Sequence, residues 1–447
     1  MLDIVRIIAL ATQRGPMVVT LENILDPGNM SLAMQRVIAN KGSAGVDGMD
    51  VSQLEEFMNR FHSVLSYSIL RGNYTPRPVR RVFIPKDTPG EVRGLGIPTV
   101  IDRLVQQAIA QVLSEFYEPL FSDSSHGFRP NRGCYTALDQ CLEHANNGLR
   151  WIVDVDLRKF FDTVNHDKLM QVLSEQIKDG RVISLISKFL RAPVREKGKD
   201  IVNTAGTPQG GPVSPVLANI ILNELDKELE KRQHKFVRYA DDLMIFCGSK
   251  AAAERTLESI RGYIEGKLFL KVNESKTKVC YITSGLKYLG FCFYFKRYKK
   301  QTIISIAPHA KTKAKLKLAL RRLTGRSSGK AMDIIRRKLK TYANGWIAYF
   351  AKGEMSMFIK EIGGWLRRRI RQIYWKQWKR VRTRYKMLRY LKVSHSQAYQ
   401  WANTRLSYWR VAGSWILHTT LTNLFLLKEG GICPEALYMR RREKLYG

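Results

Sequence analysis

The chain has 447 residues, 45% of them hydrophobic, and carries 75 Lys and Arg against 39 Asp and Glu, a net charge of +36. That length exceeds one ordinary domain and the apolar content can fill two or three packed cores, which excludes both a single small module and a disordered polyelectrolyte. The charge is uneven: residues 296–447 hold 37 Lys/Arg against 6 Asp/Glu, or +31, and residues 1–295 the remaining +5, so the final third reads as a polyanion-binding surface.

Taken in chain order, the apolar start at residues 4–11 is short and interrupted by Arg6, and Gly15-Pro16 marks a break before Leu21-Glu-Asn-Ile-Leu25. The late apolar stretch at residues 415–427 carries His418 and Asn423 and falls below the roughly 20 residues of a membrane span, so no membrane partner is expected. Cys134, Cys141, Cys247, Cys280, Cys292 and Cys433 form no Cys-x-x-Cys pair, which points to free thiols in a reducing compartment, cytosol or nucleoid.

Apolar positions recurring at three and four residues predict a helix over residues 98–117. Residues 151–156 form a strand ending in acid, and residues 235–239 and 243–247 form two strands joined by the tight turn Ala240-Asp241-Asp242. After Tyr288-Leu-Gly-Phe291 the pattern turns helical and basic, with helices predicted over 311–323, 332–350 and 363–390 and a loop at 325–329. The main boundary is placed near residue 296, with α+β organisation before it and all-α after it. Trp365, Trp375, Trp378, Trp401, Trp409 and Trp415 are interleaved with the basic residues and supply rings either for base stacking or for core packing.

Phosphoryl transfer to a growing strand uses two divalent ions roughly 4 Å apart, so carboxylates must converge from separate strands. Tyr239-Ala-Asp-Asp242 supplies part of that set, although an Asp pair in a hairpin also makes an ordinary turn. It stands with Trp151-Ile-Val-Asp-Val-Asp-Leu-Arg-Lys-Phe-Phe-Asp162, whose strand delivers Asp156, and with Thr207-Pro-Gln-Gly-Gly-Pro-Val-Ser-Pro215, a rigid turn opening a helix. In this order and spacing the chain resembles the reverse transcriptases encoded by bacterial group II introns. Gly45-Val-Asp-Gly48, Arg80-Arg-Val-Phe-Ile-Pro-Lys86, Gly94-Leu-Gly-Ile-Pro98, Gly127-Phe-Arg-Pro130, Leu270-Lys-Val-Asn-Glu-Ser-Lys276 and Tyr288-Leu-Gly-Phe291 fall where that family has its blocks, and Gly345-Trp-Ile-Ala-Tyr-Phe350 with Trp375-Lys-Gln-Trp-Lys-Arg380 look like its maturase segment.

The resemblance implies a right-hand polymerase: an N-terminal extension (1–20), fingers and palm built from an antiparallel sheet plus helices (21–295), an all-α thumb or maturase domain (296–380) and a short helical, basic DNA-binding segment (381–447). It implies an RNA-directed DNA polymerase that extends a primer 3′-hydroxyl with dNTPs on an RNA template, and that binds its intron RNA to assist splicing and retrohoming into target DNA. Asp156, Asp241 and Asp242 match the ligands of two Mg2+ ions, and Asp154, two positions before Asp156, is the rival carboxylate. Phe160 matches the residue beneath the incoming sugar, where a ring excludes a 2′-hydroxyl, or else packs the palm. Arg80, Arg81 and Lys86 match finger residues that close on the triphosphate, with Arg81 the one that can face away. Gln209 matches the nucleotide-side turn, and Lys276 either serves the departing pyrophosphate or belongs to a solvated charge run. Lys311, Lys313, Lys315 and Lys317, with Arg367, Arg368, Arg369 and Arg371, are the candidate RNA contacts.

The chain departs from many relatives in having only Cys433 after Cys292, so no cysteine-rich endonuclease is expected, as in compact class C members. A bacterial cytosolic or nucleoid location follows from the same resemblance. Two other readings keep the palm: a domesticated polymerase acting in host repair or phage defence, and a protein that is chiefly an RNA-binding splicing cofactor. His126 and His166 lack a nucleophile beside them and read as structural.

Overall fold

The computed structural model describes residues 18–85, 90 and 92–446, so Lys86 and nearly all of the extension lie outside the described residues. The chain divides into two compact units, Met1–Tyr281 and Ile282–Gly447. That division falls ahead of the change in composition at residue 296, because a β-hairpin belongs to the second unit.

In the first unit, strands β1 (Val79–Pro85) and β2 (Val92–Ile97) pair antiparallel. β1 also meets β4 (Val194–Glu196) in a short parallel contact, and β4 turns back into β5 (Lys199–Ile201), giving the order β2-β1-β4-β5. The second sheet holds β3 (Trp151–Val155), β6 (Lys235–Tyr239), β7 (Asp242–Cys247) and β8 (Lys278–Tyr281), fully antiparallel in the order β6-β7-β3-β8. Apolar residues fill the strand middles, and Ile152, Val153, Phe236, Val237 and Met244 are buried.

The predicted helix near residue 98 runs Val100–Tyr117, its start set by Thr99, whose hydroxyl accepts from the Asp102 amide. With Ser214–Lys231 and Lys250–Lys267 it shares one apolar core with the catalytic-side strands, including Val153, Val155, Leu243 and Ile245. The sheet therefore rests on helices, and its strand ends are held by burial of the strand middles.

The second unit opens on an antiparallel hairpin, Phe291–Tyr298 with Gln301–Pro308, so the region after residue 296 is not purely helical. Helices Ala310–Leu323 and Met332–Phe350 follow as predicted. The expected single helix over 363–390 is two, Ser356–Gln377 and Val381–Tyr390. The break has a packing cause: Trp378 is buried against Trp375, and its carbonyl, lost to the helix, accepts from Arg384 Nε at 3.1 Å. Residues 381–447 are not a detached segment. Leu388, Trp401, Val411, Leu417 and Leu426 sit in the same core as Leu316, Leu339 and Trp375.

Candidate active site and nucleic-acid interface

Two adjacent antiparallel strands place the acids. The β3–β7 register ends at Val155↔Leu243, and one step further along the same register sets Asp156 opposite Asp242. The β6–β7 register ends at Tyr239↔Asp242, leaving Ala240 and Asp241 as the connecting turn. Ala240 sits in the left-handed region at φ 56, a conformation that costs a residue with a Cβ and must be held from outside.

Arg238 holds it. This arginine, 1% exposed in the middle of an apolar strand, donates from Nη1 to Ala240 O at 3.1 Å and to Asn219 Oδ1 at 3.0 Å, and from Nε to Asp226 Oδ1 at 2.8 Å. Asn219 donates in turn to Gly127 O at 2.8 Å, and a Cβ on Gly127 would stand 2.4 Å from Ala240 N. The Gly127-Phe-Arg-Pro130 block is thus the backstop of the acidic turn. The sequence reading missed Arg238; its signal was a cation inside Phe236-Val-Arg-Tyr239.

The acids share one field. Burial raises the Asp241 carboxyl above its usual range and the negative charge of Asp156 raises it further, against Arg93 and Arg238. Asp154 is pushed up to about 6, mostly by burial, with Lys278 opposing and Asp156 adding. Asp154 lies within the ladder, opposite Met244 and Lys278, whereas Asp156 stands beyond the strand end. The Asp156 carboxylate accepts from Asn273 Nδ2 at 3.3 Å and pairs with Lys276 Nζ at 3.3 Å, and its backbone carbonyl accepts from Asn273 N at 2.8 Å. Lys276 thus stands beside Asp156. Among the described residues no three His, Cys, Asp or Glu side chains form a ready-made ion cluster. The donor chemistry nevertheless fits a hard cation: carboxylate oxygens at neighbouring strand ends, charged against one another, with a lysine now neutralising one of them.

Phe160 opens the short helix Phe160–Thr163 and is 2% exposed, stacked edge-on to Phe161 with centroids 5.2 Å apart, so its first role is packing in the core. Thr207 N donates to Phe161 O at 2.7 Å, and Gln209 Nε2 donates to Asp162 Oδ1 at 3.5 Å, which docks the Gln209 turn beside Phe160. Gly96 N donates to Gln209 O at 2.7 Å, and a Cβ on Gly210 would meet Gly96 O at 2.3 Å, which accounts for the glycine at that position. Arg80 donates from Nη2 to Ala44 O at 2.7 Å, and Arg81 lies over Gly94, where a Cβ would meet its Nη1 at 2.6 Å. The Nε atoms of both arginines are buried without a partner. Arg93, which the sequence reading passed over, is exposed on β2 and close enough to Asp241 to stabilise its charge.

Residues 84–293 match the model of the family "Reverse transcriptase (RNA-dependent DNA polymerase)", and residues 313–391 match "Group II intron, maturase-specific domain". Protein YkfC of Escherichia coli K12 is 33% identical over 332 residues, covering 65% of this chain and 87% of YkfC. The chain belongs to the reverse transcriptase family. This reverse transcriptase, with its group II intron maturase domain, is also 31% identical over 338 residues to the group II intron-encoded protein LtrA of Lactococcus lactis, covering 61% of this chain and 56% of LtrA. It is 32% identical over 324 residues to the putative COX1/OXI3 intron 2 protein of Saccharomyces cerevisiae, covering 59% of this chain and 36% of that protein. The chain thus spans little more than half of LtrA and about a third of the yeast protein. Reverse transcriptases generally work with divalent metal ions.

In the maturase-domain unit the predicted cations divide. On Ala310–Leu323, Lys311 and Lys315 are exposed, while Lys313 lies over Phe358 at 5.3 Å and Lys317 lies over Trp365 at 5.8 Å and pairs with Glu361 at 3.3 Å. The arginine cluster is engaged within the unit, with Arg371 buried and Arg367, Arg368 and Arg369 half-buried. Arg367 pairs with Glu435 at 3.0 Å, and Arg368 covers Trp409 at 4.2 Å. Arg369 donates to Thr324 Oγ1 at 2.6 Å, and Arg371, 4% exposed, donates to Leu421 O at 2.9 Å and Asn423 Oδ1 at 3.0 Å. Arg368, Arg369 and Arg371 donate to the backbone carbonyls of Trp409, Thr324 and Leu421, a use that a one-dimensional charge count does not distinguish from a phosphate contact. Trp375, Trp378 and Trp401 are core residues, and Trp415, 60% exposed, stacks edge-on to Trp401. His126 and His166 are structural, bonded to Thr136 and Gln140 and to Gly206 O.

Neutralising Lys311, Lys313, Lys315 and Lys317 together is expected to lower the salt dependence of RNA binding by about 0.7–0.9 log units for each phosphate that is no longer neutralised. Two such phosphates, not four, are expected, because Lys313 and Lys317 lie over rings. A filter-binding series across salt concentration measures this, and an unchanged slope removes the helix from the interface.

Proposed function

We propose that this reverse transcriptase extends a DNA primer with dNTPs on an RNA template and that its maturase unit binds intron RNA to assist splicing and retrohoming into target DNA. The observation that carries the polymerase reading is the convergence of Asp156, just past the end of β3, with the Asp241-Asp242 turn between β6 and β7, the strand register setting Asp156 opposite Asp242. Asp156, Asp241 and Asp242 are the residues that would hold two Mg2+ ions. When bound, those ions activate the primer hydroxyl and neutralise the leaving pyrophosphate.

The chain's own residues do the rest. Arg238 and Gly127 fix the turn so that Asp241 and Asp242 are presented without rearrangement. Arg80, Arg81, Lys86 and Arg93 bind the triphosphate charge. Gln209, held by Gly96 and Asp162, lines the nucleotide side of the turn. Lys276, at 3.3 Å from Asp156, gives up that carboxylate and supplies a proton or a positive charge to the departing phosphate. Phe160, braced by the core, forms the floor beneath the sugar. A bacterial cytosolic location accompanies this reading, and among the described residues no helix is long and apolar enough to cross a membrane.

Primer extension on an RNA template with magnesium and dNTPs, beside Asp241→Asn, tests the polymerase, and a splicing assay on the cognate intron tests the maturase. Phe160→Val is expected to raise the relative kcat/KM for ribonucleotides by tenfold or more, at about 1–3 kcal/mol of lost core stability. Unchanged discrimination between dNTP and rNTP would confine Phe160 to packing.

A further inference from the structure

In the maturase unit three cations gather on one aromatic ring. Arg326, Lys376 and Arg384 converge on the ring of Tyr408, with their charged groups 5.8, 4.9 and 6.0 Å from its centroid. These residues come from separate parts of the sequence: a loop, the end of the helix Ser356–Gln377, the helix Val381–Tyr390 and the short helix Tyr408–Ala412. A ring's negative face attracts a cation, but three cations around one ring repel one another, so the arrangement is incomplete on its own terms.

Among the described residues no ion pair supplies the missing charge. Residues 362–428 contain 15 Lys and Arg and no Asp or Glu. The described ion pairs of this unit engage Lys296, Lys317, Arg336, Arg367 and Arg442 with Glu354, Glu361, Glu429 and Glu435. Among the described residues Arg326 and Lys376 have neither a hydrogen bond nor an ion pair, and the one group their charges face is the ring of Tyr408.

The surroundings are fixed. Arg384 is bolted down by the carbonyls of Trp378 at 3.1 Å and Ala402 at 3.5 Å and lies over fully buried Trp375 at 4.6 Å. Gln377 Nε2 donates to Lys330 O at 3.3 Å, which ties the Arg326 loop to the end of the helix bearing Lys376. Lys376 and Tyr408 are half-buried and Arg326, on its loop, is exposed, so the cluster is open to solvent.

Resting on the maturase reading, we infer that Arg326, Lys376, Arg384 and Tyr408 form a binding notch for a nucleic-acid phosphodiester, and that its natural occupant is the backbone of folded RNA. The notch joins residues on both sides of position 381, so the segments on either side of it grip one ligand together. Its specificity is for backbone charge and shape, since no side chain in it is arranged to read a base edge.

The test uses the full chain and two double variants that remove equal charge from the same unit: Arg326→Gln/Lys376→Gln in the notch, and Lys300→Gln/Lys360→Gln at exposed positions elsewhere. Affinity for an RNA hairpin and for a DNA duplex of matching sequence is measured across salt concentration, with the thermal midpoint as a check of folding. The notch variant is expected to bind RNA about tenfold more weakly, with the salt slope lowered by about 0.7–0.9 for each phosphate left without its cation, while the control changes little. A loss confined to RNA identifies folded RNA as the occupant. A loss confined to DNA or equal on both keeps the phosphodiester notch and overturns the RNA assignment. Equal weakening by the control, or no change in the notch variant while the wild type binds, overturns the notch and leaves the maturase reading standing. A wild type that binds neither nucleic acid overturns both.

Discussion

Alanine at Asp241, or at Asp156, is expected to lower primer extension on an RNA template by at least about a thousandfold, several kcal/mol of transition-state stabilisation. Each removes a carboxylate that its neighbours cannot replace. Asp154 lies within the ladder, opposite Met244 and Lys278, and is not placed to substitute. Asp242→Ala is expected to follow the same direction, since the strand register sets it opposite Asp156. RNA binding and splicing should survive the Asp241→Ala/Asp242→Ala double variant, because the +31 charge of residues 296–447 is untouched. Single-nucleotide extension and filter binding on the same preparations separate the two activities. Near wild-type extension by either single variant would remove these carboxylates from the chemistry, and loss of splicing in a folded double variant would remove the division of labour.

The second large effect is expected at Arg238, which touches no substrate. Arg238→Met should destabilise the first unit by about 3–5 kcal/mol, because it leaves Asp226, fully buried, without its cation. The same variant should lose polymerisation, since Ala240 O loses the donor that holds the φ 56 turn beneath Asp241. Replacing the pair, Arg238→Met/Asp226→Leu, should recover much of the stability, because apolar groups of similar size can fill a buried ion-pair site. It should not recover activity, because the Ala240 carbonyl is still unheld. Urea unfolding and primer extension read the two consequences separately. An unaltered urea midpoint in Arg238→Met would mean that the network does not bear on stability. Full activity in the double variant would mean that the turn needs no clamp.

Much was settled by local sequence. The strands at residues 151–155 and 235–247 and the helix Met332–Phe350 follow from period and composition, because the burial that forms them repeats within a few residues. The acids at strand ends and the Gln209 turn were legible because metal chemistry and close backbone approach demand particular residues at particular spacings. Which cation does what was not legible. Arg238, Arg371 and Arg384 read in one dimension as charge like any other, yet the fold buries the first two as clamps on carbonyls and carboxylates and fixes the third beside Tyr408. Lys276 became a partner of Asp156 only when residues 120 positions apart met at 3.3 Å. The helix expected over 363–390 broke because burying Trp378 outweighed continuing the turn, a choice made by the core. The sequence by itself determined the elements, the excess of charge and the acidic strand ends. The tertiary structure alone decided which charges are consumed internally and which remain for phosphate, because desolvation and partnership depend on neighbours that the chain order does not bring together.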